Sequence, residues 1–235
     1  MGNSYPSKYN SSGIWSISDI YKNKITHKTY PNGGVRGLWM GGGAPGISDV
    51  MDFITFSTTG DATDFGNLSA ARDLNGGGAN SIRALCAGGQ APGVSNVIDF
   101  VTISTAANAT DFGDLTDQRG YCAGMANDTR QITSGGLDPS FSNIIDFVEI
   151  ATTGDAVDFG NLTSTPALNT NCASQTRGIN CGGTAVSGGG TNLNIIDFIE
   201  ISSTGNALDF GDLPTAIYGP MCASSAVRGL IAGGS

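Results

Sequence analysis

An all-β fold is predicted, on three observations. Glycine is over-represented, at 36 of 235 residues, while only 13% of residues are charged, a composition that suits turn-rich strands better than helices. An Asp-Phe motif recurs at Asp52, Asp99, Asp146 and Asp197, with spacings of 47, 47 and 51 residues. An Asp-Phe-Gly motif follows each of them by 12 residues, at Asp64, Asp111, Asp158 and Asp209. A period of this length, divided into four short apolar runs, fits β-propeller blades of four strands each. The expected architecture is a β-propeller of about four blades preceded by a short helical segment.

Residues 1–34 form the first element. Ser16 and Asp19 fit a helix N-cap loosely, and Trp15 with Ile20 can staple it. Ile17, Ile20, Tyr21 and Ile25 fall at i, i+3, i+4 and i+8, one face of a short helix. Pro31 and the Asn32-Gly33-Gly34 run then end it. All four lysines lie in this segment, which is +3, whereas residues 35–235 carry seven Arg and nineteen acids, or −12; together they give the net −9. Opposite charge and the segment's aromatic content point to a docking or oligomerisation segment centred on Trp15, Ile17, Ile20, Tyr21 and Ile25.

The repeats follow at 35–81, 82–129, 130–176 and 177–226. Each opens on an Arg (Arg36, Arg83, Arg130, Arg177) and an apolar run stopped by glycines, as in "RGLWMGGG" and "RGINCGG". A variable loop leads to the strongest strand, such as "VIDFVTIST", rich in β-branched and aromatic residues. A turn and a short strand come next in "TGDATDFGNL" and its copies, and a last strand ("LNGGGANS", "MCASSA") returns to the next Arg. Residues 227–235, "VRGLIAGGS", carry Arg228 and nearly duplicate residues 35–43; as a closing strand they either add to an outer edge, displace the first copy, or pair with a neighbouring subunit. Residues 221–226 are placed to complete the first blade, which otherwise lacks its leading strand.

In "VIDFVTI" both faces are apolar, so such a strand must be covered on both sides, as stacked blades would do. Asp99 shares a face with Val97 and Val101 and is expected to be buried and paired. The recurrent arginines are the candidate partners, giving a structural ladder of Arg36, Arg83, Arg130, Arg177 and Arg228 with Asp52, Asp99, Asp146 and Asp197.

Composition also narrows the chemistry. An acidic body argues against nucleic acid, because phosphate neutralisation dominates that affinity. No run of 18 apolar residues occurs, and the N-terminus has no secretory leader pattern. Five cysteines (Cys86, Cys122, Cys172, Cys181, Cys222) at irregular spacing suit small buried side chains better than a disulfide or zinc framework. Asp-Phe-Gly occurs four times without the other kinase motifs, and His27, the single histidine, lies outside the repeats, so no histidine-based catalytic centre is expected there. No cofactor is expected. Asp61, Asp64 and Asn67 cluster oxygen donors that suit calcium in principle, but the second copy has Asn108 for Asp61, and turn capping is the reading adopted. Ligand recognition is expected on the loops that differ most, at Asp138, Phe141, Thr191 and Asn192.

The Gly-Gly-terminated strand, strong strand, turn and third strand resemble the Kelch family. Phe65, Phe112, Phe159 and Phe210 stand where that family carries Trp, so the repeats are Kelch-like. The N-terminal "GIWS" helix with tandem "RGL..GG", "IDF" and "DFG.L" motifs further resembles virion structural and tail-fibre proteins of tailed marine bacteriophages. The resemblance implies a non-enzymatic protein displayed on the particle surface or tail, made in the host cytoplasm without a signal peptide. It also implies binding of other virion or tail proteins through residues 1–34, homo-oligomerisation, and attachment to a host surface glycan or protein. Alternatives of the same composition are a decoration or tail-assembly protein without a host ligand, and a cellular Kelch-type interaction scaffold.

Overall fold

Runs of Val, Ile and Phe separated by glycine turns give strands throughout the computed structural model, which describes residues 35–43, 45–90, 92–185 and 191–235. The first sheet is β1 (Arg36–Gly42), β2 (Ser48–Thr55) and β3 (Thr63–Asn67). The second is β4 (Gly76–Ala79), β5 (Arg83–Ala87), β6 (Val97–Thr102) and β7 (Thr110–Asp114). The third is β8 (Ala123–Ala126), β9 (Arg130–Ser134), β10 (Ile144–Glu149) and β11 (Val157–Asn161). The fourth is β12 (Thr170–Ala173), β13 (Arg177–Cys181), β14 (Leu193–Glu200) and β15 (Leu208–Ile217). A two-stranded sheet of β16 (Met221–Ser224) and β17 (Gly229–Ala232) follows. Pairing is antiparallel in chain order, so each sheet is an up-and-down meander. The expected helix over residues 15–25 lies outside the described residues.

The sheets stack face to face, and their cores lie between them. Met51, Phe65 and Leu68 of the first unit meet Cys86, Val101 and Ile103 of the second. Leu85, Ile98 and Phe112 meet Val148 and Ile150 of the third. Ile132, Ile145 and Phe159 meet Ile199 and Ile201 of the fourth. The alternation of the central strand therefore feeds two cores at once, which is why both of its faces are apolar. The leading strands β4, β8, β12 and β16 also run against one another in succession.

Backbone contacts fix the spacing between sheets. Leu74, Tyr121 and Leu168 hold φ of 53°, 58° and 53°, a left-handed conformation that is costly for side chains larger than Asn. It aims each carbonyl at the next unit: Tyr121 N donates to Leu74 O at 2.8 Å, Leu168 N to Tyr121 O at 3.1 Å, and Gly219 N to Leu168 O at 2.8 Å. At the outer edge Ala109 N donates to Asn67 O, and Ala156 N to Asp114 O, at 2.8 and 2.7 Å. Glycine is required there, since a Cβ on Gly113 (φ 145°) would lie 2.4 Å from Gly154 O.

The duplicated closing strand has a definite place. β17 pairs with β16, from Met221↔Ala232 to Ser224↔Gly229, and not with the first sheet. Among the described residues the first sheet keeps three strands, and no strand of the fifth sheet is hydrogen-bonded to it. Residues 221–226 therefore do not complete the first sheet, because β17 already holds that edge of β16.

Candidate functional site

The recurrent charged residues gather at the seams between sheets. Asp99 is fully buried and accepts hydrogen bonds from Ser69 N (3.0 Å), Ser69 Oγ (2.8 Å) and Arg72 Nη2 (2.7 Å). Asp146 repeats the set with Thr116 N, Thr116 Oγ1 and Arg119 Nη2 at 3.2, 2.7 and 2.8 Å. Asp197 accepts from Thr163 N and Thr163 Oγ1 at 3.0 and 2.7 Å, and Pro166 stands where Arg72 and Arg119 stand in the other units. Each donor comes from the loop that leaves the outer strand of the preceding unit. These carboxylates therefore tie one sheet to the next.

The expected pairing of these aspartates with the unit-opening arginines is corrected by register. Cys86 pairs with Asp99 and Arg83 with Thr102, an offset of three residues that puts Arg83 on the opposite face of the sheet. Arg36, Arg83, Arg130 and Arg177 instead lie over Phe53, Phe100, Phe147 and Phe198, at 4.4, 4.7, 4.4 and 4.9 Å from the ring centroids. Each of those rings is edge-to-face with the Asp-Phe-Gly ring of its own sheet, at 5.7–6.1 Å. The guanidinium then reaches the neighbouring unit: Arg36, Arg83 and Arg130 donate through Nη1 to the carbonyls of Ile103, Ile150 and Ile201 at 2.7, 2.8 and 2.9 Å. Arg130 and Arg177 face Glu149 and Glu200 directly and bond them at 2.7 Å. Asp52 lies half-buried in the first sheet, beside Trp39. Arg228 precedes β17, where its backbone N–H donates to Ser225 Oγ at 3.2 Å. Arg72 and Arg119 are the partners that sequence reasoning missed, although their separation of 47 residues is the repeat period itself.

Aspartate also caps the Asp-Phe-Gly turns. Asp64, Asp111, Asp158 and Asp209 each accept from the N–H of the glycine two residues on, at 3.1, 3.2, 3.0 and 2.9 Å. Asn108 Oδ1 and Asp155 Oδ1 accept from Asn67 N and Asp114 N of the preceding sheets at 3.1 and 3.0 Å. Among the described residues no cluster of three or more His, Cys, Asp or Glu side chains is placed to hold a metal ion.

The candidate ligand loops share one end of the stack, because both connect the second and third strands of their meanders. Asp138 N donates to Ser140 O at 3.0 Å, and Phe141 is half-buried where it bridges Leu137. Thr191 is exposed, and Asn192 Nδ2 donates to Ser235 O at 2.9 Å. At the opposite end a cavity of about 650 Å³ opens beside β1 and β4, lined by Arg36, Leu38, Trp39, Gly77 and Ala79 among others.

Four cysteines are buried and Cys222 is half-buried, all as free thiols. Burial pushes Cys86 up to about 11 and Cys181 up to about 12. Cys172 on β12 is lowered to about 7 by a hydrogen bond from Cys222 on β16, which is raised by the same contact. Ser224 Oγ of β16 donates to Ala173 O of β12 at 2.9 Å, a contact between the fifth sheet and the fourth.

Comparison with protein-family models and with curated protein sequences found no match.

Proposed function

We propose that this chain is a non-enzymatic virion protein of a tailed bacteriophage, in which Kelch-like propeller blades form a rigid scaffold that presents variable loops for host attachment. The observation that carries this reading is the use of the recurrent polar residues. Asp99, Asp146 and Asp197 and the unit-opening Arg36, Arg83 and Arg130 are engaged at the seams between sheets, so most of the recurrent charged residues serve stacking. What varies from unit to unit is the loop surface at one end, including Asp138, Phe141, Thr191 and Asn192. A scaffold with constant seams and variable loops suits recognition, since binding residues are best held on loops by rigid elements. Residues 1–34, basic and aromatic, would attach this acidic body to other virion or tail proteins.

Binding of the purified chain to host cells tests the reading. Saturable binding that falls at least about tenfold in an Asp138→Ala/Phe141→Ala/Asn192→Ala variant of unchanged circular dichroism supports attachment through these loops. Binding that is absent, or unaffected by the variant, removes the attachment role. Presence in purified particles without host binding would favour a decoration or assembly role.

A further inference from the structure

The two ends of the stack carry matching halves of one junction. Ile103, Ile150 and Ile201 are 5%, 0% and 0% exposed, yet Phe56, at the same position of the first sheet, is 68% exposed. Phe65, Phe112 and Phe159 are 2%, 3% and 2% exposed, yet their counterpart Phe210 in the fourth sheet is 57% exposed. The first sheet thus presents the face that every later sheet buries against its predecessor. The fourth presents, on its outer half, the face that every earlier sheet buries against its successor.

Polar groups match in the same way. Gly205 N donates to Phe159 O, Ala156 N to Asp114 O, and Arg130 Nη1 to Ile201 O across internal seams. The corresponding groups at the two ends are Gly60 N with Phe210 O, Ala62 N with Asp212 O, and Arg177 Nη1 with Phe56 O. A Cβ on Gly66, Gly113 or Gly160 would strike a neighbour's backbone, whereas one on Gly211 meets nothing within 4 Å among the described residues. The groove that admits the next turn is therefore present and open.

The strand inventory is complementary as well. Among the described residues the first sheet has no leading strand, and the 650 Å³ cavity between β1 and β4 lies where such a strand would run. Amide groups on its wall are already engaged, Asn75 Nδ2 with Met40 O and Asn80 Nδ2 with Asp128 O, so the cavity suits a strand better than a polar ligand. The fifth sheet has a leading strand, β16, but ends at β17. β17 repeats β1, and pairs β16 in the register that would join Met221 to Met40 and Ser224 to Gly37.

We propose that a second copy of this chain docks head to tail: its β1 takes the place of β17 on β16, and its first sheet completes the fifth. β16 would then lie between β12 of its own chain and β4 of the second, as β8 lies between β4 and β12. One seam contact is missing, because Pro214 occupies the position of the Ser/Thr that serves the other three aspartates, and Ile217 that of the Arg that serves two of them. Asp52 gains no donor from them, and the junction releases more readily than the internal seams. Such a heterologous contact propagates into rings or filaments. It stands whether or not the host-attachment reading does.

Sedimentation of the full chain with Phe56→Glu (head) and Phe210→Glu (tail) tests this, with Trp39→Glu and Arg177→Glu as second variants if either fails to fold. The wild-type chain is expected to associate with rising concentration. Each variant alone should associate more than about 100-fold more weakly, because a carboxylate is buried at the seam. An equimolar mixture of head and tail variants should give dimers and nothing larger, since one good head and one good tail remain. A monomeric wild type, single variants that still associate (through residues 1–34, for example), or a mixture that stays monomeric because the ring closes within each chain would each overturn the proposal.

Discussion

Replacing Asp146 with Ala should be among the most destabilising single changes in the third sheet. Asp146 is fully buried and accepts three hydrogen bonds, of which that from Arg119 is 2.8 Å long between side chains 1% and 0% exposed. Without the carboxylate, Arg119 keeps only contacts of 3.4 Å to the carbonyls of Asp117 and Thr133, and its Nε is already unpartnered. An uncompensated buried cation of this kind costs about 3–5 kcal/mol. Arg119→Leu should cost less, about 1.5–3 kcal/mol for one charge-assisted hydrogen bond. Asp146 would then resemble Asp197, which is held by Thr163 alone and is 1% exposed. In the double variant neither charge is stranded, so its loss should fall short of the sum of the single losses by about 2 kcal/mol. Urea unfolding followed by circular dichroism measures all three. A loss below about 1 kcal/mol for Asp146→Ala, or additive single losses, would refute a coupled buried pair.

Three further outcomes follow from the seams and the core. Gly113→Ala should lose about 2 kcal/mol or more than Gly211→Ala loses, because both glycines have positive φ (145° and 137°) but only the Gly113 Cβ meets backbone, at 2.4 Å; equal losses in thermal unfolding would mean the seam contact is unimportant. Arg83→Lys should cost about 1–2 kcal/mol in urea, since an ammonium cannot both lie flat over Phe100 and reach Ile150 O; an unchanged midpoint would show that charge alone suffices. Stability should fall in alkali. Cys86 and Cys181 are raised from 9.0 to about 11 and 12, so their contribution is complete below pH 9 and is lost as pH rises through those values. The slope is about 1.4 kcal/mol per pH unit for each thiol between those limits, and Cys86→Ala should flatten the pH profile of urea midpoints; an unaltered profile would contradict the assignment.

Much of the fold is legible in the chain because the repeat is regular. Four near-copies of the Asp-Phe and Asp-Phe-Gly motifs mark the central and outer strands, and apolar residues on both faces of "VIDFVTI" signal that sheets cover one another. The identity of the arginine that meets each aspartate was harder to read. Arg83 opens its unit and draws attention, but two-residue alternation turns it away from Asp99, whereas Arg72 sits in an irregular loop with no motif around it. Closure was not legible either. Near-identity of residues 227–235 to residues 35–43 says that two segments fit one place, and only the pairing of β17 with β16 shows which holds it here. The candidate loops at Asp138–Phe141 and Thr191–Asn192 stand out by difference alone, a signal that carries no chemistry.

Cryo-electron microscopy of purified phage particles tests most directly whether these stacked sheets are a virion scaffold. Repeated density for the sheets on the particle surface or tail, with the Asp138 and Asn192 loops facing outward, is the predicted result. Particles that lack the chain, or that enclose those loops against other virion proteins, would contradict it.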